Sequence, residues 1–191
     1  MIGGMYVRAC LRAGLLSLLV LFGATVVEAQ SNQIVYTDSL QNGWGNYSWA
    51  TVNFSATNFV HSGTDSISVL CVSNNYQALY LHHPAFDSSL YTNLIFWING
   101  GASGGQPMKV QATLNGAAQS AYYRLPTLPA NTWQQFTIPL SSLGVADQPT
   151  MDGFWIESES ASPIPIFYVD DIQLQGAPPT PPGTNAMDPC W

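Results

Sequence analysis

Charge is the scarcest feature of this sequence. Of 191 residues only 8% are Asp, Glu, Lys or Arg, where a soluble domain ordinarily has about 25%. Positive charge is scarcer still, with four Lys and Arg against eleven Asp and Glu and a net charge of −7. A phosphate-binding face needs clustered cations, so no nucleic acid is expected as a partner. Anionic membrane surfaces are excluded on the same ground. Cysteine is rare too: three Cys and three His show none of the paired spacings of a zinc site. No window from Ser31 onward keeps a helical period over three turns, which argues against a helical fold. Disorder is excluded by what is plentiful, 47% apolar and 12% aromatic residues. The polar surface must then be built from Ser, Thr, Asn and Gln, and a neutral surface dotted with aromatics suits a neutral, polyhydroxylated partner.

The start of the chain reads as a leader. Arg8 and Arg12 stand before an apolar run over 13–27, too short for a membrane span. Val27-Glu28-Ala29 follows as a cleavage site. Residues 1–29 are therefore expected to be a signal peptide, with an uncleaved anchor as the alternative. Removal leaves 162 residues with only Lys109 and Arg124 against ten carboxylates, a secreted chain with no membrane attachment. Export permits disulfides. Cys71 and Cys190 can pair, or Cys71 can be a buried free thiol in its apolar run.

Short alternating runs fill the rest, punctuated by Gly, Pro, Asn and Asp, the pattern of a sandwich or barrel. Ten strands are expected, at 34–38, 47–54, 66–72, 78–83, 93–99, 108–114, 120–125, 133–140, 152–158 and 166–174. Asn42-Gly43, Ser62-Gly63, Asn99-Gly100-Gly101 and Asn115-Gly116 supply turns that tolerate positive φ. One domain is expected over 31–175. Residues 176–191 form a Pro-rich tail, a linker to a further domain or a short docking segment.

Four phrases carry a family resemblance: Ile34-Val35-Tyr36-Thr37-Asp38, the run from His61 to Val69, the run from Trp133 to Leu140, and the closing run from Phe167 to Leu174 with Asp170-Asp171. In this order the sequence resembles secreted carbohydrate-binding modules of the calcium-binding, galactose-binding-like jelly-roll type, found in plant-polysaccharide-degrading proteins. The resemblance implies an all-β antiparallel sandwich and non-catalytic binding of a neutral polysaccharide, β-glucan or another plant-type glycan. It implies a catalytic domain as a companion in the parent protein. It also implies a structural Ca2+ held by Asp170 with Asp38 and the loop ending at Asp65.

An eight-stranded jelly roll pairs its strands first-eighth-third-sixth and second-seventh-fourth-fifth. Counting from 66–72, the second sheet holds 78–83, 152–158, 108–114 and 120–125, with 47–54 expected at its edge. Successive side chains alternate faces. With the aliphatic set inward, the outward set reads Trp49, Asn53, Tyr80, His82, Gln111, Tyr122, Arg124, Trp155 and Glu157, with Lys109 among them. Aromatic rings stack on the C–H face of a sugar while amides and charges bond its hydroxyl rim. Trp44 and Tyr76, on loops, are expected to fold over this groove.

Two enzyme-like features need weighing. Glu157 and Glu159 lie on one face about 7 Å apart, inside the range of about 5 to 9 Å that glycosidase carboxylates use. A small jelly-roll hydrolase or lyase is thus one alternative, and an extracellular adhesive domain using the tail is another. Asp170 and Asp171 are adjacent in a strand, so they are expected to point to opposite faces.

Overall fold

The computed structural model describes residues 29–72 and 76–179. Almost all of the expected leader, most of the tail and Cys190 lie outside the described residues. The chain forms strands β1 (Gln33–Tyr36), β2 (Gly45–Asn46), β3 (Thr51–Ala56), β4 (Ser66–Cys71), β5 (Ala78–Phe86), β6 (Tyr91–Asn99), β7 (Met108–Leu114), β8 (Ala117–Arg124), β9 (Trp133–Pro139), β10 (Met151–Ser158) and β11 (Ile164–Gly176).

These make two antiparallel sheets. The first is ordered β3-β4-β11-β6-β9, with β1 beside the second half of β11, and the second is β2-β5-β10-β7-β8. The order is that of a jelly-roll sandwich. Alternation sets the core: Leu79, Leu81, Phe154, Ile156, Met108, Val110 and Ala112 meet Ile67, Val69, Leu94, Phe96, Ile98, Phe167, Val169 and Ile138, all at 0–1% exposure. Asn115 and Gly116, at φ 49° and 74°, turn β7 directly into β8 as a tight hairpin. Cys71 is buried, and burial pushes its thiol up to about 11.

One expected strand is two. The stretch 45–50 lies along β5: Gly45 sits opposite His82, and the amides of Tyr47 and Ala50 donate to the carbonyls of Tyr80 and Ala78. At Thr51 the chain crosses to the other sheet, where Thr51 pairs with Leu70 and Asn53 with Ser68. The crossing preserves the two-residue alternation, so the pattern reads as a single strand.

Residue Asp171 departs from the expected alternation. It sits at φ 48° in a bulge of β11, so both adjacent carboxylates reach the same loop. Asp170 is fully buried. Its Oδ2 accepts from the amides of His61 (2.9 Å) and Ser62 (3.3 Å), and its Oδ1 from the amide of Asp171 (2.8 Å). Asp171 binds His61 Nδ1 at 2.6 Å and Ser62 Oγ at 2.7 Å. Burial pushes the Asp170 carboxyl above the ordinary range, against the pull of the amides. Asp170→Ala would orphan three amide donors. The expected loss is at least about 2 kcal/mol, a fall of roughly 4–8 °C in thermal midpoint for a domain of this size. Asp170→Asn, which keeps one acceptor oxygen, should fall less; equal midpoints for the wild type and the alanine variant would show that the carboxylate ties nothing.

Candidate functional site

The outer face of the second sheet is a ladder of rows running across the strands. In the central row Tyr80 of β5 faces Trp155 of β10, which faces Gln111 of β7, which faces Tyr122 of β8. Three strand spacings of about 4.8 Å make this row about 14 Å long. On one side lies the row His82, Gly153, Thr113, and on the other the row Glu157, Lys109, Arg124. Trp49 and Tyr47 come in from the segment beside β5.

The aromatic rings hold one another edge to face. Trp155 meets Tyr80 at 5.4 Å and 89°, and Trp49 at 5.4 Å and 76°. Tyr47 lies over His82 at 4.3 Å. Trp49, Tyr122 and Tyr47 are open to solvent at 41, 48 and 60% exposure, while Tyr80, Trp155 and His82 are half-buried. The indole N–H groups are occupied: Trp49 donates to the Tyr76 carbonyl (3.0 Å) and Trp155 to Glu157 (3.2 Å). Gly153 has a specific reason for lacking a side chain. A Cβ there would lie 2.8 Å from Tyr80 Cε2 and 2.8 Å from the Leu81 carbonyl oxygen, so the bare backbone lets the Tyr80 ring lean across β10.

Charge on this face is paired internally. Lys109 Nζ is 3.0 Å from Glu157, and Arg124 grips Glu159 with two bonds of 2.6 Å. Both cations flank the Tyr122 ring, each 5.7 Å from its centre. The two glutamates that suggest glycosidase chemistry are thus each held by a cation. Gln111 gives its amide to the Gln119 carbonyl (2.7 Å). Next to His82 lies Asp152, nearly buried, with Oδ2 3.7 Å from the imidazole and accepting from the Gly116 amide.

Of the nine residues expected on this face, the structure brings together Trp49, Tyr80, His82, Gln111, Tyr122, Arg124, Trp155 and Glu157. Asn53 is not among them: the crossing at Thr51 carries it to the edge of the other sheet. Trp44 does not fold over the groove either; it is 5% exposed and packs on Phe154 at 5.4 Å within the core. Tyr47 and Asp152 were not singled out from the sequence. Tyr47 looks in the sequence like the first residue of a strand, and the bulge that turns Asp152 outward has no sequence mark.

Calcium fits the described residues poorly. The implied ligands are Asp170, Asp38 and Asp65, and the loop from His61 to Asp65 turns backbone amides toward two of them, His61 and Ser62 to Asp170 and Thr64 and Asp65 to Asp38. Asp38 Oδ1 accepts from the amides of Thr64 (2.7 Å) and Asp65 (2.9 Å), which hold its carboxyl below the ordinary range. Among the described residues no group of three or more His, Cys, Asp or Glu could hold a metal ion. Calcium wants six to eight oxygens, and here both oxygens of Asp170 and Oδ1 of Asp38 already accept backbone amides.

No family model matches the chain. Over 148 residues it is 28% identical to an endoglucanase of Dictyostelium discoideum, an alignment of 72% of this chain and 20% of that protein. The chain thus spans about a fifth of the length of that relative. Among solved structures it resembles the family 11 carbohydrate-binding module of Clostridium thermocellum in complex with a β-1,3-1,4-mixed-linked tetrasaccharide, with TM-score 0.57 and 21% identity over 80% of this chain and 100% of that one. It also resembles a family 29 module from Piromyces equi, with TM-score 0.51 and 15% identity over 75% and 89%. A mutant family 29 module complexed with mannohexaose gives TM-score 0.53 and 14% identity over 78% and 92%. The fold is the β-sandwich of carbohydrate-binding modules.

Two measurements check this geometry. Gly153→Ala is expected to lower the thermal midpoint, because the new methyl meets both Tyr80 and backbone, and to lower it less in a Tyr80→Ala background; strictly additive losses would mean the two do not touch. Chelator and excess calcium are expected to give coincident midpoints. A fall on chelation, restored by calcium, would place a cation among Asp38, Asp65 and Asp170.

Proposed function

We propose that this chain is a secreted, non-catalytic carbohydrate-binding module that takes a neutral polysaccharide, a β-glucan or similar plant-type glycan, across the outer face of its second sheet. The observation that carries this reading is the central row of Tyr80, Trp155, Gln111 and Tyr122, extended at one end by Trp49 and Tyr47. It offers apolar ring faces for sugar C–H surfaces, spaced along a line, with the His82 imidazole on one side and the Glu157 carboxylate and Lys109 ammonium on the other for hydroxyls. Both cations are neutralised by fixed glutamates, so nothing on the face favours an acidic glycan over a neutral one. The solved neighbours are carbohydrate-binding modules, two of them with neutral oligosaccharides bound. The partial match to an endoglucanase supports a catalytic domain as companion in a longer protein. The leader supports export.

Affinity gels containing soluble mixed-linkage β-glucan or glucomannan test the assignment. Trp49→Ala and Tyr122→Ala are each expected to weaken binding by about 1–3 kcal/mol, roughly 5- to 150-fold in Kd. The thermal midpoint of Tyr122→Ala should change little, whereas Trp49→Ala also removes ring contacts with Tyr80 and Trp155 and the bond to the Tyr76 carbonyl and should lower it. Trp155→Ala should lower affinity and stability together, because it also removes ring contacts and the bond to Glu157. Unaltered retardation in all three variants would remove the site from this face, and release of reducing sugar by the protein alone would replace the reading with a hydrolase.

A further inference from the structure

Two Asn-X-Ser triplets, Asn46-Tyr47-Ser48 and Asn53-Phe54-Ser55, have the pattern that accepts N-linked oligosaccharide in exported chains. Both asparagines are exposed. In each, Oδ1 accepts from the serine amide two residues on, at 3.0 Å, the Asx-turn arrangement. That bond fixes the carboxamide by its oxygen and leaves Nδ2 with no described partner.

The two triplets differ in their serines. Ser48 Oγ is tied into the second sheet, accepting from the Tyr80 amide at 3.0 Å, and Asn46 stands beside the rim residue Tyr47. Ser55 is exposed, and its hydroxyl bonds no described residue. Asn53 lies on β3, the outermost strand of the first sheet, away from the aromatic face. Exposed edge strands invite pairing with other chains and are usually guarded by Lys, Pro or charge. β3 reads Thr-Val-Asn-Phe-Ser-Ala; apart from a register irregularity after Asn53 it has no such guard, in a protein with hardly any charge to spare. A bulky hydrophilic group on Asn53 would supply one.

We propose that Asn53 is an acceptor site for N-linked oligosaccharide. The donor is a lipid diphosphate-linked oligosaccharide. Asn53 Nδ2 attacks C1 of the first sugar; the C1–N bond forms, the C1–O bond breaks with its electron pair leaving on the diphosphate, and the nitrogen gives up one proton. This rests on the export reading, so the test separates the two.

The full chain is expressed in a eukaryotic secretory host with its own leader and, in a parallel arm, with a strong heterologous leader placed before Gln30. The second arm delivers the domain to the glycosylating compartment even where its own leader fails. Peptide N-glycosidase treatment in 18O-water, followed by peptide mass mapping, is expected to convert Asn53 to labelled Asp. N53Q and S55A should each remove one oligosaccharide from the intact mass. Both should leave affinity for mixed-linkage β-glucan within about twofold of the wild type. An unmodified Asn53 in the delivered protein, or wild-type and variant masses that differ only by the substitutions themselves, overturns the proposal, as does occupancy of Asn46 alone. Loss of secretion from the native leader with Asn53 occupied in the second arm would count against export while upholding the site.

Discussion

The first sheet is organised around a carboxylate that water does not reach. A buried, unpaired Asp is costly, and Asp170 is offset by three amides, two of them from a loop more than a hundred residues earlier in the chain. Those bonds set the loop's position. Phe59 then lies on Tyr168 at 4.7 Å, and His61 stacks on Trp97 at 3.9 Å with Trp133 edge-on at 5.6 Å. The loop thereby covers aromatic rings on the outer side of the first sheet. Among the described residues no such loop lies over the second sheet, where Trp49, Tyr47 and Tyr122 are exposed. One buried acid thus fixes the loop that covers the rings of the first sheet.

The exposed rings are held before any partner arrives. The indole N–H groups of Trp49 and Trp155 are bonded within the protein, the tyrosine beside Gly153 leans over bare backbone, and Tyr122 sits between two cations that are themselves pinned by glutamates. A face fixed in this way loses little side-chain freedom on association, which is where binding at a polar surface otherwise loses much of its free energy. The scarcity of charge shapes it as well: with two cations in the described domain, both serve the scaffold of the face.

Most of this was legible in the sequence because a sandwich strand reports its buried side at every second residue. Leu79 and Leu81 against Tyr80 and His82, or Phe154 and Ile156 against Trp155 and Glu157, sort themselves correctly without any structure. What could not be read were the places where the chain changes partner without changing period. The crossing at Thr51 keeps alternation intact, so Asn53 is in phase with Trp49 and on a different sheet. The bulges at Asp171 and Asp152 break the period by one residue, which no local composition announces. Trp44 shows a third limit: a tryptophan between two glycines looks like a surface ring, and only tertiary packing reveals that the loop drives it into the core.

The position of β11 bears on the order in which the molecule can be made. It is the last of the described strands to be synthesised, yet it lies between β4 and β6 and also pairs with β1. Until it emerges, β1 and β4 have no neighbour on that side, β6 is missing one edge, and the loop at His61 has no carboxylate to close upon. Contacts of such sequence separation form slowly, and half-built sheets expose edges that stick to other chains. Assembly of this domain is therefore gated by its last strand: without β11 the first sheet falls into two separate pairs, β3-β4 and β6-β9, with β1 unpaired, facing an otherwise complete second sheet.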